Sequence, residues 1–195
     1  EYLRPRSSRG LKDLIKMKLL PPISDLYRND LFPEDLARDD FLFNKNINGV
    51  FISHAHVDHS GCVGYLRSDI PIYASALTIR ILEVMQITTK SDFVRDCYFI
   101  KEKALSDDGL SMKAKGGKKL RPFIALNDGD CKIGPYRCKF FSVDHSIYGA
   151  SALAIETESG WVVYSGDLRL HGVRGELTKK FIESVARLHP KALII

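Results

Sequence analysis

The sequence predicts a mixed α/β protein built in layers, and three observations carry that prediction. An apolar run over residues 49–53 ends where a group of histidines begins, the pattern of a buried strand with a site at its end. From Pro122 onward, short apolar runs alternate with Asn127-Asp128-Gly129 and Gly134-Pro135 turn signals, as in a sheet made of hairpins. An amphipathic stretch over Leu177 to Leu188 is then followed by a second apolar run from Lys191. Strand, turn, helix and strand in succession are what a layered α/β architecture requires.

The elements follow in order. Residues 1–10 are basic and contain Pro5 and Gly10, which reads as a loop. Leucine and isoleucine at 11, 14, 15, 19 and 20, with lysines between them, have helical spacing, and Pro21-Pro22 ends the run. Residues 23–47 are mixed, with acidic patches and Pro33, and read as short helical turns at a core edge. A short helix is expected over residues 60–66, behind the histidines. Pro71 to Ala74 reads as a strand, with Ser75 as N-cap of a helix through about Ile87. Tyr98 to Lys101 suggests a further strand. Residues 102–119 combine lysines and acids with Gly116-Gly117, which reads as an exposed loop. Its Lys113, Lys115, Lys118 and Lys119 either meet an anionic substrate or are simply solvated. Phe123 to Leu126, Cys131 to Ile133 and Tyr136 to Val143 read as strands, and Ser151 to Thr157 with Gly160 to Ser165 as a hairpin. There is no internal repeat and no low-complexity segment.

The chemistry centres on Ser53-His54-Ala55-His56-Val57-Asp58-His59-Ser60. In an extended segment, side chains at i and i+2 leave the same face, so His54 and His56 can grip one ion. Asp58 and His59 follow at a turn and can address a second position a few ångströms away. Gathering so many donors at a strand end is costly without a cation to hold them together, which argues against a solvated, histidine-rich loop. His145, in Asp144-His145-Ser146, and Asp167, after Gly166, each stand where an apolar strand gives way to a loop, as His54 does. His171 either faces the cleft and assists a leaving group or has a supporting role, and Ser146 either binds a phosphate or caps its turn. His189, before Pro190, reads as structural.

His-x-His-x-Asp-His after an apolar strand resembles the signature of the metallo-β-lactamase-fold hydrolases. That resemblance implies an αββα sandwich with one or two transition metals, usually zinc. Carried onto these positions, it implies His54, His56 and His145 around one metal, Asp58 and His59 on a second, and Asp167 between them. Two Zn2+ ions, or Mn2+ in their place, are the expected cofactors. A water shared by two such cations loses its proton near neutral pH, so metal-assisted hydrolysis is the expected reaction, with Asp58 orienting the nucleophile.

Several further stretches resemble ribonuclease J and its relatives, nucleases that add a β-CASP domain to this fold. They are Tyr2 to Ser7, Gly10 to Asp13, Leu20 to Ile23 with Leu26 to Arg28, Phe51 to Gly61, Asp144 to Ser146, and Tyr164 to Gly172. The resemblance implies cleavage of single-stranded RNA, by endonucleolytic cuts or 5′ to 3′ exonucleolysis. It also implies that residues 1–195 form part of a metallo-β-lactamase-fold domain, with a β-CASP domain expected after residue 195. Arg4, Arg6 and Arg9 are candidate phosphate contacts.

Composition sets outer limits. The 195 residues are 45% hydrophobic and 27% charged, the balance of a globular domain, and no apolar run approaches the ~20 residues of a membrane span. A net charge of +5 and a pI near 9.0 permit an anionic substrate without requiring one. Cys62, Cys97, Cys131 and Cys138 are scattered, with no CxxC pair. A zinc ribbon and a disulfide framework therefore both lack support, and a reducing, cytoplasmic setting is expected. Cys62 reads as a small buried packing residue. A homo-oligomer is compatible with the sequence. Three functions compete: an RNA-cleaving nuclease, a small-molecule hydrolase of the same fold such as a thioesterase or lactonase, and a non-catalytic binding relative. The full donor set argues against the last, and the N-terminal resemblance argues against the second.

Overall fold

The computed structural model describes residues 10–23, 25–32, 47–89, 96–107 and 111–195. Residues 1–9 of the expected N-terminal loop, with Arg4, Arg6 and Arg9, lie outside these residues, as do residues 33–46 between the first helical turns and the histidine motif.

Two sheets face each other, with a helix on each outer side. The first sheet has the order β1 (Val50–Phe51), β2 (Ile72–Ser75), β5 (Phe123–Leu126), and all its pairings are parallel. The second has the order β10 (Ala192–Ile194), β9 (Gly160–Tyr164), β8 (Ser151–Thr157), β7 (Tyr136–Ser142), β6 (Gly129–Ile133). It is antiparallel except where β10 runs parallel to β9. Alternation along the strands sorts the side chains between layers. Tyr73 and Leu126 of the first sheet meet Cys138, Phe140 and Leu153 of the second, and the Phe51 and Phe140 rings touch edge to face at 6.1 Å. Ile72 and Ala74 point the other way, toward Leu82 of helix α3 (Ala76–Thr88). On the far side, Ala152, Ala154 and Val163 pack under Phe181 and Val185 of helix α4 (Gly175–Ala186). The αββα sandwich predicted from the sequence is the observed architecture. Near the N-terminus, Leu14 of helix α1 (Lys12–Lys16) packs with Leu11, Leu20, Tyr27 and Leu31 in a satellite cluster.

Local signals explain most of the boundaries. The Ser75 hydroxyl accepts the Thr78 N–H at 3.0 Å, so α3 starts at the expected cap. Behind the histidines, the expected helix is split into α2 (Val57–Ser60) and a 3₁₀ turn over Val63–Tyr65. Two expectations are corrected. Residues 102–119 are not a loop: β3 (Phe99–Leu105) and β4 (Met112–Leu120) form an antiparallel hairpin with a register shift between Lys101 and Lys103. Nearly every side chain of β4 is exposed. Its lysines therefore show none of the apolar alternation by which a strand is recognised, and backbone pairing alone defines it. Cys62 is exposed rather than buried, because it sits on the outer side of the turn between α2 and the 3₁₀ segment. All four cysteines are free thiols, and among the described residues no helix is long and apolar enough to cross a membrane.

One buried cation ties the hairpin to the sandwich. The fully buried Arg121 donates to the carbonyls of Arg67 (2.8 Å), Cys97 (3.0 Å) and Leu66 (3.1 Å). Burial pushes its pKa down to about 10, so it stays charged at neutral pH. Arg121→Met would leave those carbonyls buried and unpaired, and is expected to cost about 3 kcal/mol or more in denaturant unfolding. A loss below ~1 kcal/mol, the worth of one ordinary hydrogen bond, would show that the guanidinium is dispensable.

Candidate metal centre

Chain direction brings three strand ends to one edge. β7 and β9 are each antiparallel to β8, so they run the same way and both deliver their C-terminal residues to that edge. His145 follows β7 and Asp167 follows β9. The end of β1 reaches the same place: the Ser53 carbonyl accepts both the N–H and the hydroxyl of Ser151, each at 2.9 Å. Gly166 adopts φ +54°, and a Cβ there would lie 2.6 Å from the Ser53 Cβ. Only glycine lets the chain come this close to the β1 end and then turn Asp167 into the site.

The side chains converge as two donor groups sharing one histidine: His54, His56 and His145 form the first, and His54, His59 and Asp167 the second. Within each group the candidate ligand atoms lie within 4.8 Å of one another. His54 Nε2 is 3.0 Å from His56 Nδ1, which is 3.3 Å from His145 Nε2. Asp167 stands between the groups, with one oxygen 3.4 Å from His59 Nε2 and the other 3.5 Å from His145 Nε2 and 4.0 Å from His54 Nε2.

Hydroxyls hold the outward nitrogens. Ser53 Oγ lies 3.1 Å from His54 Nδ1, and the Tyr164 hydroxyl lies 3.2 Å from His59 Nδ1 and 3.4 Å from Ser53 Oγ. An imidazole that donates from Nδ1 presents the lone pair of Nε2 inward, as a metal ligand must. His145 is positioned through its neighbour. Buried Asp144 receives Arg169 Nε at 3.1 Å, and its own backbone N–H donates to Thr178 Oγ1 at 2.9 Å. Gly172 seals that pair from above, since a Cβ there would fall 1.8 Å from the Asp144 carboxylate.

Burial, reinforced by the neighbouring imidazoles, pushes the His54 pKa down to about 4, and burial also lowers that of His145. Both rings are therefore neutral at physiological pH, the state in which imidazole binds metal. Three imidazoles in one group, and two imidazoles with a carboxylate in the other, suit a borderline cation such as zinc. The residues fit the cofactor that the sequence implies.

The structure brings His54, His56, His59, His145 and Asp167 together. Asp58 sits at the rim, its side chain 75% exposed and 3.6 Å from His59 Nε2, and belongs to neither donor group. The second group instead takes His54, which the sequence assigns to the first alone. His171 is exposed, four residues beyond Asp167 and outside both groups. Ser146 Oγ lies 3.4 Å from His145 Nε2. Sequence reading missed the roles of Ser53, Asp144, Tyr164 and Arg169. Each is within three residues of a donor, but the hydrogen bond that gives it a role runs to a residue far away in the chain in every case except the Ser53–His54 contact.

Residues 27–77 match the metallo-β-lactamase superfamily. Ribonuclease J of Helicobacter pylori (strain ATCC 700392 / 26695) is 26% identical over 151 residues, covering 73% of this chain and 18% of the relative. Ribonuclease J 2 of Staphylococcus aureus (strain NCTC 8325 / PS 47) is 30% identical over 162 residues, covering 79% of this chain and 24% of the relative. A solved protein of unknown function from Enterococcus faecalis V583 superposes with a TM-score of 0.67 at 30% identity, over 95% of this chain and 39% of its own. Fold and site together thus define a protein of the metallo-β-lactamase fold. More particularly, it is ribonuclease J-like, although the chain spans only 18–24% of the length of these curated relatives.

Proposed function

We propose that the protein hydrolyses phosphodiester bonds of single-stranded RNA, using two zinc ions, or manganese in their place, held by the clustered histidines and Asp167. The observation that carries the hydrolytic part is the pair of donor groups sharing His54, with Asp167 between them. Similarity to ribonucleases J, spread over most of the chain, supports RNA as the substrate. His54, His56 and His145 would hold one cation, and His59 and Asp167 would hold the other, with Asp58 at its rim. When bound, the cations lower the pKa of a water and neutralise charge on the phosphoryl oxygens.

The remaining work falls to the chain. Ser53 and Tyr164 keep the ring nitrogens of His54 and His59 aimed inward. Asp58, at the rim, accepts a proton from the attacking water and fixes its direction. His171, on the loop after Asp167, returns a proton to the leaving oxygen. The free thiols suit a reducing compartment, and we place the protein in the cytoplasm.

Salt separates this reading from hydrolysis of a small ester. A strand held through several phosphates releases counterions, each contact adding ~0.7 to the logarithmic salt slope. Cleavage of a labelled RNA oligomer is expected to weaken steeply as salt rises and to stop in chelator. Turnover of thioesters or lactones, with the RNA untouched, would overturn the proposal.

A further inference from the structure

One aromatic ring beside the centre has no part in holding the fold. Tyr148 is 65% exposed, three residues past His145, and its hydroxyl has no hydrogen-bond partner among the described residues. The loop that carries it is nevertheless fixed at both ends. Asp144 is tied to Arg169 and Thr178, and the Gly149 carbonyl accepts Ser75 Oγ at 2.8 Å and Thr78 Oγ1 at 2.9 Å. Gly149 adopts φ +85°, and a Cβ there would lie 2.8 Å from Ser75 Oγ and 3.0 Å from Thr78 Oγ1, so the loop is held closely against the start of α3.

Its surroundings suggest what it meets. The Arg174 guanidinium lies 5.8 Å from the Tyr148 ring centroid, over its face, and makes no ion pair with a carboxylate among the described residues. Tyr148, Arg174 and the 97%-exposed Val173 line a cleft of about 70 Å³ together with His145 of the first donor group. Pockets that enclose small molecules run to ~300–1,000 Å³, so this cleft is too small to enclose such a ligand by itself. An aromatic face next to an unpaired arginine is the combination that takes successive bases and phosphates of a single strand.

We propose that Tyr148 is a stacking platform for a nucleobase flanking the scissile phosphate, with Arg174 beside it to take an adjoining phosphate. This inference rests on the ribonuclease reading and deepens it, by assigning a base-binding subsite next to His145.

The test is binding, measured by fluorescence anisotropy with a short single-stranded RNA whose linkages resist hydrolysis. Wild-type protein, Tyr148→Ala and Tyr148→Phe are compared, each also with an RNA made abasic around the cleavage position. Tyr148→Ala is expected to weaken binding about 5- to 150-fold, the equivalent of ~1–3 kcal/mol per stacked base at 1.4 kcal/mol per tenfold. Tyr148→Phe retains the affinity. With the abasic strand the alanine variant binds as the wild type does, and its thermal midpoint and metal content are unchanged because the ring is exposed. Equal binding of base-containing RNA by wild type and Tyr148→Ala overturns the stacking role and leaves the ribonuclease reading standing. An alanine defect that persists with the abasic strand also overturns it. Wild-type protein that binds no single-stranded RNA brings down both.

Discussion

The triple variant His54→Ala, His56→Ala, His145→Ala is expected to emerge from gentle dialysis without bound metal, whereas the wild type retains it. The expectation follows from the shared histidine. Removing His54 takes a donor from each group at once, and the other two substitutions empty the first group. His59 and Asp167 then remain, with Asp58 at the rim, and no buried imidazole stands behind them. Elemental analysis reads the difference directly. A second readout comes from unfolding, because a ligand bound only by the folded state adds ~2.7 kcal/mol at a hundredfold excess over its dissociation constant. Chelator should therefore lower the thermal midpoint of the wild type and leave that of the triple variant where it is. Since His54 is fully buried, the variant starts from a lower midpoint; its insensitivity to chelator is the diagnostic feature. Full retention of metal by the triple variant would remove these residues from the coordination set.

Much of this site is legible in the sequence because its donors are set by local rules. His54 and His56 share a face through the period of an extended chain, and the turn into α2 carries His59 back toward them. His145 and Asp167 are signalled by the places where apolar strands stop. The αββα layering is legible for the same reason: Ile72, Tyr73 and Ala74 alternate between helix α3 and the second sheet, as their period requires. What stays hidden depends on contacts between distant segments. Nothing near Tyr164 announces that its hydroxyl will sit against His59, 105 positions away. Arg121 looks like any surface arginine until the backbone at Leu66 and Arg67 and at Cys97, just before β3, encloses it. Beyond the expected strand over Tyr98 to Lys101, the β3–β4 hairpin escapes sequence reading because β4 has no buried face to pin its register, and the lysines that line it are equally at home in a loop.

Asp58→Ala is the substitution expected to separate chemistry from structure most cleanly. Asp58 lies in the first turn of α2, with its side chain 75% exposed and its nearest ionic neighbour His59, at 3.6 Å. Losing the carboxylate empties no cavity and strands no buried donor, so the thermal midpoint should move little. The cost falls on the reaction instead. On the proposed mechanism, with Asp58 gone, the attacking water loses the group that accepts its proton and fixes its direction, and His59 and Asp167 alone remain on that side of the cluster. RNA hydrolysis is expected to fall by ~10³-fold or more, the scale on which a single well-placed polar group at a reacting centre is valued. Binding of the same RNA should change far less, because Asp58 brings no positive charge to the phosphates and removing it only relieves repulsion. Asn at the same position keeps a polar oxygen but cannot take up a proton, so Asp58→Asn should be as defective in turnover as the alanine variant. Near-normal turnover by Asp58→Ala would place the nucleophile's activation elsewhere in the cluster, with Asp167 as the remaining carboxylate able to supply it.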